Sequence, residues 1–108
     1  MKSSLDNTLT KIIKWANDRS IIKGSTAKDQ FHKLIQEAGE LSDNLCKGKP
    51  TIDDIGDCMV VLAIIAAQEG CTLEECVNHA YGDIKDRKGI MRDGVFIKES
   101  DLIEGEIK

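Results

Sequence analysis

The chain has 108 residues, 41 % hydrophobic and 31 % charged, with a formal net charge of −4. That length suits one small domain, and the composition excludes a disordered chain. An acidic balance argues against a polymeric nucleic-acid partner, which needs a basic surface, but leaves a single nucleotide open because a metal offsets its charge.

With one proline, four aromatic residues and many Ile, Leu, Ala, Glu and Lys, the composition favours an all-α fold. Met1 leads straight into polar residues, so no signal peptide is expected, and no apolar run is long enough to predict a membrane span. A cytoplasmic protein is expected. Cys46, Cys58, Cys71 and Cys76 form no C-x-x-C pair; reduced thiols are the simplest reading, with zinc or a disulfide as alternatives.

The first helix is predicted over 4–19, with Leu5, Leu9, Ile12, Ile13 and Ala16 as its apolar stripe. A connector containing Gly24 follows. Ser25 or Thr26 caps the second helix, with Asp29 three residues after Thr26. Its predicted core stripe is Phe31, Leu34, Ile35, Ala38, Leu41 and Leu45, and Gly48 and Pro50 stop it. Thr51 is expected to cap the third helix, with Asp54 three residues on.

That third helix is apolar on every face over 59–67, so it should be buried all round, partly by a second copy of the chain. Thr72 and Glu75 form a capping box for a fourth helix that is expected to stop at Gly89. Tyr81 is expected in the core, and His32 and His79 at the surface. Asp93-Gly94 signals a turn, and 95–97 is read as no more than a strand-like clip. The expected architecture is a single all-α domain over 1–108. It is a four-helix bundle with a helical core over about 4–89, completed by oligomerisation, and a short irregular C-terminal tail over 90–108, frayed from 99 onward.

The chemistry-bearing residues are acids at helical spacing. Glu37 and Glu40 lie at i, i+3 on the second helix, and Asp54 and Asp57 at i, i+3 on the third. A short turn makes these helices antiparallel neighbours, so the four carboxylates can converge. Carboxylates without histidine or thiolate are hard oxygen ligands that suit Mg²⁺, or Mn²⁺, and Mg²⁺ commonly shares its shell with phosphate oxygens. A structural alternative stands beside this: Lys33–Glu37 as a helix-surface ion pair, Glu37 and Glu40 as a solvated face, and Asp54 as a helix-start charge. Asp57 weighs against it, because on the helix it shares its side with Val60, Val61 and Ile64.

The stretch Lys33-Leu-Ile-Gln-Glu-Ala-Gly-Glu-Leu41, followed by Asp53-Asp-Ile-Gly-Asp57, resembles the MazG-type all-α nucleoside triphosphate pyrophosphohydrolases, whose signature is E-E-x-x-E, a spacer, then E-x-x-D. Gly94 to Glu99 is similar to a G-x-F-I-K-E segment of small phage and bacterial MazG-like proteins. The resemblance implies hydrolysis of a (deoxy)nucleoside triphosphate to the monophosphate and pyrophosphate by a homodimer or homotetramer. It implies a Mg²⁺ site on Glu37, Glu40, Asp54 and Asp57, with Glu37, Glu40 and Asp57 as catalytic residues and Glu37 a candidate general base.

A phosphate-facing cation is implied near the end of the fourth helix, with Lys85 first and Arg87 second. Lys33 and Trp15 complete the candidate substrate contacts, Trp15 as a stacking surface for the base or else a core or rim aromatic. Two positions depart from the signature: Gln36 stands where the family has a glutamate, and Asp54 replaces a glutamate. The alternatives are a phosphoribosyl-ATP pyrophosphohydrolase-like enzyme and a helical dimer that binds nucleotides or a protein partner without turnover.

Overall fold

A computed structural model of the chain describes residues 3–102. It is mostly helical and divides into two compact units, Met1–Cys76 and Val77–Lys108.

The first unit holds α1 (Ser4–Asp18), a short α2 (Ile21–Gly24), α3 (Ala27–Cys46), α4 (Ile52–Gln68) and the first turn of α5 (Leu73–Ile84). α1 and α3 begin with reciprocal capping boxes, Ser3 with Asp6 and Thr26 with Asp29. The Thr26 N–H and hydroxyl hold the Asp29 carboxyl below its ordinary range. α2 replaces part of the expected connector, after Ser20 breaks α1 with a left-handed backbone, φ 60°. Thr51 makes no side-chain cap bond, because its ψ of 4° departs from the extended backbone that N-capping needs.

α4 ends in a Schellman motif. Gly70, at φ 82°, turns the chain so that its N–H meets the Ala67 carbonyl and the Cys71 N–H meets that of Ala66, at 3.1 and 2.9 Å. The same pattern of bonds closes α3 at Gly48 and Lys49.

α4 packs against α3, α1 and α2. The buried apolar residues among those described are Ala16 on α1 and Val61, Ala63, Ile64 and Ala66 on α4. α4 is therefore the centre of the unit, but its apolar run is not buried all round within the chain, since Leu62 is exposed. The stripe on α3 is not core, however. Phe31, Ile35 and Leu45 are more than half exposed, as are Ile52 and Ile55 on α4. Periodicity identifies which face of a helix is apolar and says nothing about what covers it.

In the second unit α5 stops at Ile84, before the expected end at Gly89, and Lys85 and Asp86 begin a turn. Val77, Tyr81 and Ile84 are more than half exposed, which corrects the core placement of Tyr81. The supposed tail contains a hairpin, so the fold is not purely α. β1 (Gly89–Arg92) pairs antiparallel with β2 (Val95–Lys98), from Gly89 opposite Lys98 to Arg92 opposite Val95.

Asp93 and Gly94 both have positive φ, 51° and 80°, the type I′ combination that matches strand twist in a two-residue hairpin. A side chain at Gly89 would collide with the Ile97 carbonyl and the Phe96 ring, so the hairpin requires glycine there. A 3₁₀ turn, Glu99–Asp101, follows, and the Glu99 N–H bonds the Lys88 carbonyl at 2.7 Å. The frayed tail expected over 103–108 lies outside the described residues. Among these residues no single helix is long and apolar enough to cross a membrane.

Candidate carboxylate site

The α3–α4 hairpin gathers the predicted acids. The Asn44 side-chain amide donates to Asp54 Oδ2 at 2.8 Å near the turn, while Glu37, two turns earlier on α3, acts on Asp57, a turn later on α4. Pairs that move away from the turn in opposite chain directions define antiparallel helices, as expected. Asn44 was missed as a site residue. Its place just before the turn, opposite the start of α4, is the signal that could have found it.

Burial weighs against the structural alternative for Asp54, a helix-start charge: Asp54 is buried, whereas Asp57, expected among apolar neighbours, is only half-buried. Glu37 is buried as well, at 7 % exposure, and Glu40 is exposed. Glu37 Oε1 lies 3.2 Å from Lys33 Nζ, so the predicted ion pair exists, but it reaches into the hairpin rather than lying on a solvated face. Glu37 Oε2 is buried with no hydrogen-bond partner.

The electrostatics tie the acids together. The Glu37 charge and burial push the Glu40 pKa up, against the pull of Lys33. Burial pushes the Asp57 pKa up, and the charges of Asp53, Glu37 and Asp54 add to it. Asp53 thus joins the set, although it lies outside the i, i+3 pattern. Among the described residues no three His, Cys, Asp or Glu side chains converge closely enough, in their present rotamers, to hold a metal ion.

Trp15 is half-exposed on α1, with the Arg19 guanidinium 4.8 Å above its ring, a cation–π pair already occupying the expected stacking surface. Lys85 and Arg87 belong to the second unit and follow α5 rather than ending it. There Arg87, Lys88 and Lys98 share an open depression with Asp83, Asp86 and Glu99. An apolar cavity of about 290 Å³ in the first unit lies away from the acids, between α1 and the end of α4, with Leu9, Ile13, Ala67 and Cys71 in its wall.

Comparison with known proteins places one relative beside the chain. It is 43 % identical over 68 residues to an uncharacterized 18.2 kDa protein in the rep-hol intergenic region of Haemophilus phage HP1 (strain HP1c1), covering 61 % of this chain and 42 % of that protein. The chain thus spans less than half of the relative's length. No protein-family model matches it, and no solved structure matches it.

Proposed function

We propose that the chain is a Mg²⁺-dependent nucleotide pyrophosphohydrolase that converts a (deoxy)nucleoside triphosphate to the monophosphate and pyrophosphate, working as a homodimer or homotetramer. The observation that carries this reading is Glu37, a carboxylate more than nine-tenths buried with one oxygen on Lys33 and the other unpartnered. A buried acceptor left unpaired costs about 1–3 kcal/mol, more when charged. An ion or a water molecule bound there would satisfy it.

The donor set fits a hard divalent cation. Glu37, Glu40, Asp54 and Asp57 offer only carboxylate oxygens, and exposed Glu40 changes rotamer at little cost. Those four residues would hold Mg²⁺, which supplies charge to offset a triphosphate and acidity to a water molecule. The chain's own residues do the rest. Lys33 fixes one Glu37 oxygen and so aims the other at the cation. Asn44 fixes the rotamer of Asp54. Asp53 and Asp57 add negative potential that favours the cation.

The exposed apolar stripe of Phe31, Ile35 and Leu45 on α3, with Ile52 and Ile55 on α4, supports oligomerisation, because a core as thin as this one gains from burying more surface.

A second reading, a helical oligomer that binds nucleotide or a partner protein without turnover, is favoured by the Lys33–Glu37 and Asn44–Asp54 contacts, which partly satisfy two of the acids within the protein. One assay separates the two. Purified protein with Mg²⁺ should release pyrophosphate, not orthophosphate, from at least one of a panel of ribo- and deoxynucleoside triphosphates, and a chelator should stop it. Orthophosphate alone, or no release across the panel, refutes the enzyme reading.

A further inference from the structure

Cys71 and Cys76 stand apart from the carboxylates, and the proposed reaction uses neither. The connection from α4 to α5 explains why they meet. The Schellman motif pins the Cys71 backbone to the Ala66 carbonyl at 2.9 Å. Thr72 then caps α5, with its hydroxyl accepting from the Glu75 N–H and its own N–H donating to the Glu75 carboxylate. One residue on, the Cys76 N–H bonds the Thr72 carbonyl at 3.1 Å. These anchors set the two sulfurs 3.6 Å apart. Cys71 is half-buried and its thiol also reaches the Ala66 carbonyl at 3.4 Å, whereas Cys76 is exposed; both are free thiols.

We propose that Cys71 and Cys76 are a redox-active dithiol whose reaction partners are small-molecule disulfides. The exposed Cys76, as thiolate, attacks one sulfur of the incoming disulfide. The bond between its sulfurs breaks, one small thiolate leaves and takes a proton from solvent, and a mixed disulfide remains on Cys76. Cys71 then gives its proton to solvent and attacks Cys76 Sγ, which expels the second small thiolate. The protein loses two electrons and two protons, and the small disulfide gains them as two thiols.

The sulfurs need to come only about 1.6 Å closer to reach disulfide length, a movement within reach of side-chain rotation on two anchored backbones. The hydrogen bond with Cys76 and burial push the Cys71 pKa up, and the exposed Cys76 is the thiol that an incoming disulfide meets first. The closed form ties the end of α4 to the first turn of α5. It also stiffens one rim of the apolar cavity, where Cys71, Thr72 and Leu73 lie.

The test exposes the protein to oxidised glutathione, blocks remaining thiols by alkylation, and digests with a glutamyl endopeptidase, which cuts after Glu69, Glu74 and Glu75. Wild type should lose the mass of two hydrogens, and the fragments bearing Cys71 and Cys76 should stay joined across the cut chain until reduced. Cys71→Ser should instead accumulate one glutathione on Cys76, because the resolving thiol is gone. Glutathione that persists on wild-type Cys76, a joined pair that includes Cys46 or Cys58, or a Cys71–Cys76 pair that stays reduced overturns the proposal. The deciding readouts come from wild type, so they stand whether or not the variant folds and whether or not the protein hydrolyses nucleotides.

Discussion

Asp57→Asn should lower pyrophosphate release by about 100-fold or more while leaving the metal-free melting temperature unchanged or higher. The loss follows from removing a charged oxygen from the set proposed to hold Mg²⁺. The stability result follows from the pKa direction. Burial and the charges of Asp53, Glu37 and Asp54 hold the Asp57 carboxyl above its ordinary range. Such a group binds its proton more tightly when folded, so its contribution to stability is most favourable below the unfolded-state pKa. That contribution is lost as pH rises to the raised folded value. At neutral pH wild type carries the whole penalty, and asparagine removes it in nearly the same shape.

The stability difference between the two proteins should therefore shrink as pH falls through that window. Mg²⁺ should raise the melting temperature of wild type more than that of the variant, with about 2.7 kcal/mol available at a hundred times Kd. Melting curves with and without Mg²⁺ check both claims. A variant that melts about 4 °C or more below wild type without metal, with Mg²⁺ moving neither, would make Asp57 a structural acid and remove the metal site.

Ile64→Asp should unfold the chain, whereas Ile35→Asp should leave it folded and dissociate it. The run over 59–67 alone suggests that Ile64 serves a subunit interface. The structure buries Ile64 to 3 % exposure within the chain's own first unit, while Ile35 on α3 is 57 % exposed. An unpaired charge at the buried position costs about 3–5 kcal/mol, a large part of the roughly 5–15 kcal/mol that holds a domain folded. At the exposed position the same charge is solvated in a monomer and costs only when a second copy covers it. Circular dichroism with light scattering separates the outcomes. A wild-type chain that is monomeric at micromolar concentration would refute the oligomer, and a folded Ile64→Asp would refute the core assignment.

How far the sequence alone reached depended on whether a signal was local. Thr26 with Asp29 and Thr72 with Glu75 mark helix starts because each box closes within four residues, and both are formed. The acids on α3 and α4 were legible because helical spacing and a short turn bring them together. Their burial was not. Asp54 is deeper than Asp57 because Asn44 reaches across the turn to it, a pairing between helices that no spacing on one helix encodes.

The end of α5 was misplaced because no breaker stands between Ile84 and Gly89. The hairpin was half-read: Asp93-Gly94 gave the turn, but 89–92 holds Gly89 and Arg92 and resembles no strand by composition. Cys71 and Cys76, five apart across a helix start, match no spacing rule. Only the Schellman turn and the cap together bring their sulfurs near.

The placement of all four acids on one helical hairpin also bears on how the chain folds. α3 and α4 are joined by the short segment 47–51, so their contacts close a small loop early, at low entropic cost. The carboxylates are then drawn together before α1 and α2 need to dock on α4. Their mutual repulsion therefore burdens the folding step as well as the finished state.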